Sequence, residues 1–166
     1  MKYAVVYSSR SGNTALAARA VLDALPLDGL VYYGPPDPAA LDADLIFAGF
    51  WTDKGTCDGA TAAFLPTLAG KRVVLFGTAG FGGTPSYFDA ILDRVKALLP
   101  ADAAALDGWM CQGKMPQTVR DRYVALPDSP QKESMLQNFD RALIHPDAAD
   151  LASAAAWAAE IMAGGR

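Results

Sequence analysis

The chain has 166 residues, a length typical of a single domain, and 52% of them are hydrophobic. Its net charge of −4 disfavours a nucleic-acid-binding protein, and no apolar run reaches the roughly 18 residues that a membrane span needs. Two cysteines, Cys57 and Cys111, and one histidine are too few for a zinc site or a disulfide framework. We therefore expect one domain over residues 1–166, without metal or signal peptide, and with two free thiols in the reducing cytoplasm.

Predicted strands and helices alternate along the chain. Runs that are continuously apolar, or rich in β-branched and aromatic residues, predict strands at 3–8, 29–34, 44–51, 72–78 and 104–113. Apolar residues at helical spacing, with flanking proline or glycine, predict helices at 13–25, 60–68, 85–99 and 147–163. The connection 114–146 is unusually long. Because its stretch 128–143 has helical character, we expect a covering element there and not a bare loop.

The apolar strands and the alternation with helices indicate the fold class. Continuous apolar strands are covered on both faces, as in a parallel sheet, so the pattern predicts a doubly wound α/β fold. Ligands of such folds bind beyond the carboxyl ends of the strands. Four loops at that edge are rich in glycine, hydroxyl or aromatic residues, at 8–14, 50–59, 77–87 and 111–116. We expect these four loops to meet at one binding site.

The loop SSRSGNT after the first strand combines hydroxyl groups with a glycine at a strand-to-helix turn. It matches neither the GxGxxG dinucleotide motif nor the phosphate loop that ends in GK[ST]. The hydroxyls of Ser9, Ser11 and Thr14, with Asn13 and the backbone at Gly12, suit a single phosphate at a helix N-terminus. The alternative is an ordinary helix start that the side chain of Ser11 or Asn13 caps.

Aromatic residues and glycines in the next two loops suit a flat ring. Trp51, beside Phe50 in the loop after the third strand, can stack on a heterocycle, and the alternative for both is burial in the core. The glycines around Phe81 let the backbone approach a ligand closely. Phe81 is a candidate for a second aromatic wall, and the alternative is a simple cover of the loop.

The loop SSRSGNT resembles the FMN phosphate loop of flavodoxins, whose pattern [ST]-x-[ST]-G-x-T it fills completely. The stretches GFWTDKGTCD, LFGTAGFGG, CQGKMP and NFDRALIHPD are similar to a flavodoxin-like family of single-domain FMN proteins, one branch of which accompanies bacterial bilirubin reductases. The resemblance covers residues 1–161. It implies bound FMN, redox work, and a five-stranded parallel sheet in the order 2-1-3-4-5 with helices on both faces. Carried onto this sequence, it implies that the cofactor is held by Ser9, Arg10, Ser11, Gly12, Asn13, Thr14, Phe50, Trp51, Thr52, Asp53, Lys54, Gly55, Thr78, Ala79, Gly80, Phe81 and Gly82.

The resemblance also implies a function, namely a monomeric or weakly dimeric electron carrier between donor and acceptor proteins, with no catalytic side chain of its own. The sequence departs from electron-carrying flavodoxins in two loops. Lys54 stands in a loop that is usually acidic, and the loop after the fourth strand reads AGFGG where a tyrosine near an acidic pair is usual. An FMN-dependent NAD(P)H:quinone-type oxidoreductase is therefore the alternative, and a binding module with a vestigial site is a third possibility.

Three further features have simpler alternatives. His145 precedes the last helix, where it is either a proton donor or part of the helix start. Cys57 follows Asp53 closely and is either a redox group near the flavin or an ordinary buried thiol. Lys114, Arg120 and Arg122 give the segment after the fifth strand a local positive charge, which suits either partner docking or a solvated surface.

Overall fold

The structure, a computed structural model, describes residues 1–82 and 84–164. The strands are β1 (Tyr3–Tyr7), β2 (Leu30–Gly34), β3 (Leu45–Asp53), β4 (Thr56–Cys57), β5 (Arg72–Ala79) and β6 (Ala104–Gln112). The helices are α1 (Asn13–Asp23), α2 (Gly59–Phe64), α3 (Pro85–Lys96), α4 (Gln117–Val124), α5 (Pro130–Ala142) and α6 (Ala148–Met162). Short 3-10 helices at Pro38–Asp42 and Leu65–Thr67 complete the connections. Every predicted strand and helix is present, with bounds that differ by a few residues.

The longer strands form one parallel sheet in the order β2-β1-β3-β5-β6. This is the predicted order 2-1-3-4-5, once the two-residue strand β4 is left out of the count. β4 pairs antiparallel with the end of β3, where Thr52 lies opposite Cys57. The predicted doubly wound α/β fold is therefore confirmed, and β4 is too short to produce a pattern in the sequence.

Helices cover both faces of the sheet because its strands are apolar on both sides. On one face, α1 and α6 pack with Val5, Phe47 and Val74. On the other face, α2 and α3 pack with Ile46 and Val73. Two hydrophobic cores thus lie above and below the sheet, and its carboxyl edge is left to the loops. Within residues 1–82 and 84–164, no helix has the length and apolar character to cross a bilayer.

The long connection after β6 folds into α4 and α5, which is the covering element that the sequence predicts. Ser129 caps α5 by accepting a hydrogen bond from the N–H of Lys132. The buried Asn138 of α5 donates a 3.1 Å hydrogen bond to the carbonyl of Gly80, which anchors this helix to the loop after β5. α4 was not predicted, because none of its residues is buried and its sequence therefore has no apolar periodicity.

β3 and β5 interlock near the carboxyl edge through two pairs of glycine and phenylalanine. Gly49 lies opposite Phe76, and Phe50 lies opposite Gly77. A Cβ atom on Gly77 would come within 2.5 Å of the Phe50 ring, so this glycine makes room for the ring of the neighbouring strand. The rings of Phe50 and Phe76 are both fully buried as a result.

Candidate functional site

A cavity of about 460 Å³ opens at the carboxyl edge of the sheet, which is a size typical of small-molecule and cofactor sites. All four loops named above reach it, so they converge as the fold class requires. The residues of the implied cofactor site that line the cavity are Arg10, Ser11, Asn13, Trp51, Thr52, Lys54, Gly55, Thr78, Ala79, Gly80 and Phe81.

One corner of the cavity is the turn that leads into α1. Gly12 is the N-cap of α1 and has a φ of 92°, a left-handed conformation that favours glycine. No side chain caps this helix, so the alternative in which Ser11 or Asn13 is the cap does not hold. Within the described part of the chain, no acceptor is present for the backbone N–H groups of residues 10–13. Such a turn offers several donors to an anion.

Asn13 organises this corner. Its side-chain amide donates hydrogen bonds to Ser11 Oγ at 3.2 Å and to the carbonyl of Lys114 at 2.8 Å. Its Oδ1 is buried and has no hydrogen-bond partner among residues 1–82 and 84–164, and the same is true of the Oγ1 atom of Thr52, which lies on another wall of the cavity. Buried polar atoms are nearly always hydrogen-bonded, and both of these belong to residues that line the cavity.

Ser9 and Thr14 contribute differently from what the motif implies, since neither lines the cavity. The Thr14 hydroxyl is buried, 2.9 Å from Thr78 Oγ1 and 3.3 Å from the carbonyl of Phe50. The hydroxyl of Ser9 accepts a hydrogen bond from the N–H of Ala15. These two residues hold the turn against the sheet, and Ser11 is the hydroxyl of the loop that lines the cavity.

Aromatic side chains form another part of the lining. Trp51 is half-buried, and the guanidinium of Arg10 lies 5.5 Å from its ring centroid, a cation–π contact. Phe81 is 40% exposed and lines the cavity, as predicted for a second wall. Tyr87 of α3 also lines the cavity, and burial raises the pKa of its phenol, with Arg94 opposing the shift. This phenol is therefore neutral at physiological pH.

Other residues of the implied site are placed away from the cavity. The ring of Phe50 lies in the core between the sheet and α2–α3, which is the alternative that the sequence left open. Asp53 is exposed at the end of β3 and Gly82 packs beside Gln112, and neither lines the cavity. The last glycine of the loop AGFGG, Gly83, lies outside the described residues.

The sequence predicts that the loop 111–116 reaches the site, but it does not single out the part of this wall that α4 provides. That wall consists of Gly113, Lys114, Met115, Pro116, Thr118, Val119, Arg122 and Tyr123. The available signals were the polar loop CQGKMP at a strand end and the excess of cations after it. The spacing of these residues does not show that α4 turns back over the cavity, because α4 has no buried face of its own.

The two thiols and the histidine lie outside this cavity. Burial raises the pKa of Cys57, with Asp58 raising it further, and burial also raises the pKa of Cys111. His145 Nδ1 lies 2.6 Å from Asp150 Oδ2, and the same carboxylate closes a capping box with Asp147 at the start of α6. His145 is therefore part of a helix start. The neighbouring carboxylates of Asp147 and Asp150 form the capping box of α6.

These features define a class of protein, a doubly wound parallel α/β domain with a glycine turn leading into a helix after β1 and a partly aromatic cavity at the carboxyl edge. The flavodoxin domain model matches residues 4–159, so the chain belongs to the flavodoxin domain family. This membership confirms the family resemblance and, with it, FMN as the cofactor that the resemblance implies.

Relatives of known sequence and structure agree with this assignment. The chain is 37% identical over 175 residues to the flavodoxin-like domain-containing protein BilS of Clostridium symbiosum (strain WAL-14163), with 92% of each chain covered. It is 30% identical over 173 residues to BilS of Clostridioides difficile (strain CD3), with 98% of this chain and 97% of that protein covered. Its fold is similar to that of a WrbA-like flavodoxin from Agrobacterium tumefaciens, with a TM-score of 0.58, 18% identity, and coverage of 99% and 97%.

Proposed function

We propose that this protein is an FMN-dependent electron carrier that accepts electrons from a reductase and passes them to a partner reductase. One observation supports this proposal most directly. The loops after β1, β3, β5 and β6 converge on one cavity that combines the glycine turn into α1, whose N–H groups have no acceptor among the described residues, with polar and aromatic side chains. This combination suits a molecule with a phosphate at one end and a flat ring at the other.

The phosphate would be held at the turn into α1. Ser11 donates its hydroxyl, the backbone from residue 10 to 13 offers N–H groups, and the positive end of the α1 dipole favours the negative charge. Asn13 keeps the turn in place through its hydrogen bond to Lys114, and Thr14 fixes it to β3 and β5. The flat ring would lie toward Trp51 and Thr52, which line the cavity after β3.

The chain supplies binding and electrostatics, and bound FMN supplies one- and two-electron redox chemistry. The described lining contains no histidine and no carboxylate, which are the usual side chains for proton transfer. The two buried free cysteines support a location in the reducing cytoplasm.

The acceptor that we would test first is a bilirubin or related tetrapyrrole reductase. The motifs that resemble flavodoxin-like proteins accompanying bacterial bilirubin reductases support this choice.

The test is to purify the protein, load it with FMN, and mix it with NADPH in the presence and absence of a flavodoxin reductase. A carrier is reduced rapidly only when the reductase is present, and it then delivers electrons to the acceptor reductase. Rapid NAD(P)H oxidation by the protein alone, followed by quinone reduction, would favour the oxidoreductase alternative. Failure of the protein to bind FMN would contradict both.

A further inference from the structure

The cavity is surrounded by cations without counter-ions. Its lining includes Arg10, Lys54, Lys114 and Arg122, all of them exposed, and no aspartate or glutamate within the described residues. No carboxylate of residues 1–82 or 84–164 forms an ion pair with any of the four. In a chain with 18 acidic and 14 basic residues, this arrangement concentrates positive charge at one opening. We call these four residues the cationic rim.

Two cations of α4 and α5 that do not line the cavity form ion pairs with carboxylates. Arg120, two residues before Arg122 in α4, pairs with Asp140 of α5 at 3.4 Å. Lys132 pairs with Asp128 at 3.0 Å and also donates to two backbone carbonyls. Arg120 and Lys132 are therefore offset by carboxylates of the chain, whereas no carboxylate of the described residues pairs with the four cations of the rim.

The phosphate of FMN would offset only part of this charge. A phosphate monoester carries about −1.5 to −2 at neutral pH, so it balances roughly two of the four cations. A net positive potential would remain at the mouth after the cofactor binds. The four side chains are exposed at a cavity of about 460 Å³. The remaining positive charge is therefore accessible to a protein that approaches the bound flavin.

We propose that the cationic rim is the docking surface for an acidic redox partner protein. The inference rests on the proposed function, because only a carrier needs a partner at the mouth of its cofactor site. Complementary charge speeds and orients such encounters. The side chain of Phe81, 40% exposed at the same opening, adds an apolar contact of the kind that interfaces bury. Asp53 and Asp121 are exposed acids beside the rim in sequence, and they limit its net charge without pairing with it.

Two forms of one acceptor test the charge preference directly. Native horse cytochrome c is basic, and its fully succinylated form is acidic, while the haem stays the same. At an ionic strength near 0.1 M, where a Debye length of about 10 Å screens remote carboxylates, the reduced holoprotein should reduce the succinylated form about tenfold faster. Raising the salt concentration should slow that reaction and not the reaction with native cytochrome c.

Matched variants locate the effect. Lys114→Gln combined with Arg122→Gln removes two rim charges and retains the backbone hydrogen bonds of residue 114. This variant should lose most of its preference for the acidic cytochrome. Lys96→Gln removes an exposed charge from the last turn of α3, which does not line the cavity, and should keep the preference. Flavin fluorescence quenching gives the FMN occupancy of each variant, and each rate is divided by that occupancy.

A binding measurement provides a readout that does not depend on turnover. When reduced succinylated cytochrome c is added to the oxidised holoprotein, amide resonances of residues 113–123 should shift, and they should not shift with the native form. Equal rates with both cytochromes, a preference for the basic form, or shifts confined to another surface would overturn the docking proposal. A chain that binds no FMN would instead overturn the proposed function.

Discussion

The side-chain amide of Asn13 donates a 2.8 Å hydrogen bond to the carbonyl of Lys114, which joins the loop after β1 to the loop after β6. Gly113 packs against the same amide, and a Cβ atom there would come within 2.5 Å of Asn13 Nδ2. The N–H of Lys114 in turn donates to the carbonyl of His145 at 2.9 Å. One peptide segment thus connects the turn into α1 to the segment that precedes the last helix.

The first prediction concerns this connection. In Gly113→Ala the new methyl group must displace the Asn13 amide, so the hydrogen bond to Lys114 is lost or strained. The free energy of unfolding of the apoprotein should fall by about 1–3 kcal/mol, and FMN should bind more weakly. Urea denaturation and flavin fluorescence titration measure the two effects. Gly59→Ala is the control, because a Cβ atom at Gly59 meets nothing within 4 Å and its effect should be small.

The second prediction concerns the phosphate. Ser11→Ala removes the hydroxyl that lines the cavity at the turn into α1. Losing one hydrogen bond to a charged group costs about 1–3 kcal/mol, which corresponds to roughly 5–150-fold in affinity. The affinity for FMN should fall by this factor, whereas the affinity for riboflavin, which has no phosphate, should not change. Ser134→Ala, at an exposed position of α5, is the control. Equal losses for FMN and riboflavin would place the phosphate elsewhere.

The fold was predictable from sequence because its signals are local. Continuous apolar strands, helical spacing and the glycine at residue 12 each depend on a few neighbouring residues, and the predicted order of the longer strands is confirmed. The short strand β4 and the helix α4 lack such signals. β4 has only two residues, and α4 buries none of its own.

Side-chain roles in the site were less predictable because they depend on contacts distant in sequence. Phe50 and Trp51 are adjacent and equally aromatic, yet successive residues of a strand point to opposite faces. Phe50 enters the core beside Gly77, and Trp51 lines the cavity. Thr14 fits the phosphate motif by sequence, but its hydroxyl is occupied by Thr78, a residue that is 64 positions away. Both facts depend on how β3 pairs with β5, which the sequence alone does not show.

The third prediction tests the packing under the site. In Gly77→Ala the Cβ atom would lie 2.5 Å from the Phe50 ring, which is fully buried and has no open space to move into. Overpacking of this kind typically costs about 1–3 kcal/mol, so the thermal midpoint of the apoprotein should drop. Gly77→Ala combined with Phe50→Leu should regain part of the loss, since the smaller side chain vacates that space. A double variant no more stable than Gly77→Ala would contradict this account.

The fourth prediction concerns the thiols, which are both free and buried. Burial raises the pKa of Cys57 and of Cys111, so little of the reactive thiolate is present at pH 7. Iodoacetamide should label the native protein slowly, with a rate that continues to rise above the pH at which an exposed cysteine levels off. After unfolding in denaturant without reductant, mass spectrometry should show both cysteines labelled. A single unlabelled pair would reveal a disulfide and contradict the expected reducing location.

The last prediction concerns the redox potential. Lys54 is exposed, lines the cavity, and has no carboxylate partner within residues 1–82 and 84–164. Full reduction adds negative charge to a flavin ring, and a nearby cation lowers the cost of that charge. At an effective dielectric constant near 20, a charge about 6 Å away contributes roughly 3 kcal/mol, and about 1 kcal/mol after solvent screening.

For a one-electron couple, 1.4 kcal/mol equals about 59 mV, so Lys54→Met should lower the potential of the second one-electron step by tens of millivolts. The potential of the first step should move less, because less negative charge develops on the ring. The φ of Lys54 is 51°, and methionine keeps that backbone and most of the side-chain volume, so the change is mainly one of charge. Lys96→Met, away from the cavity, is the control for spectroelectrochemical titration at low salt. Equal potentials in the wild-type protein and in Lys54→Met would show that the lysine points away from the flavin, and the rim would then owe its charge to Arg10, Lys114 and Arg122.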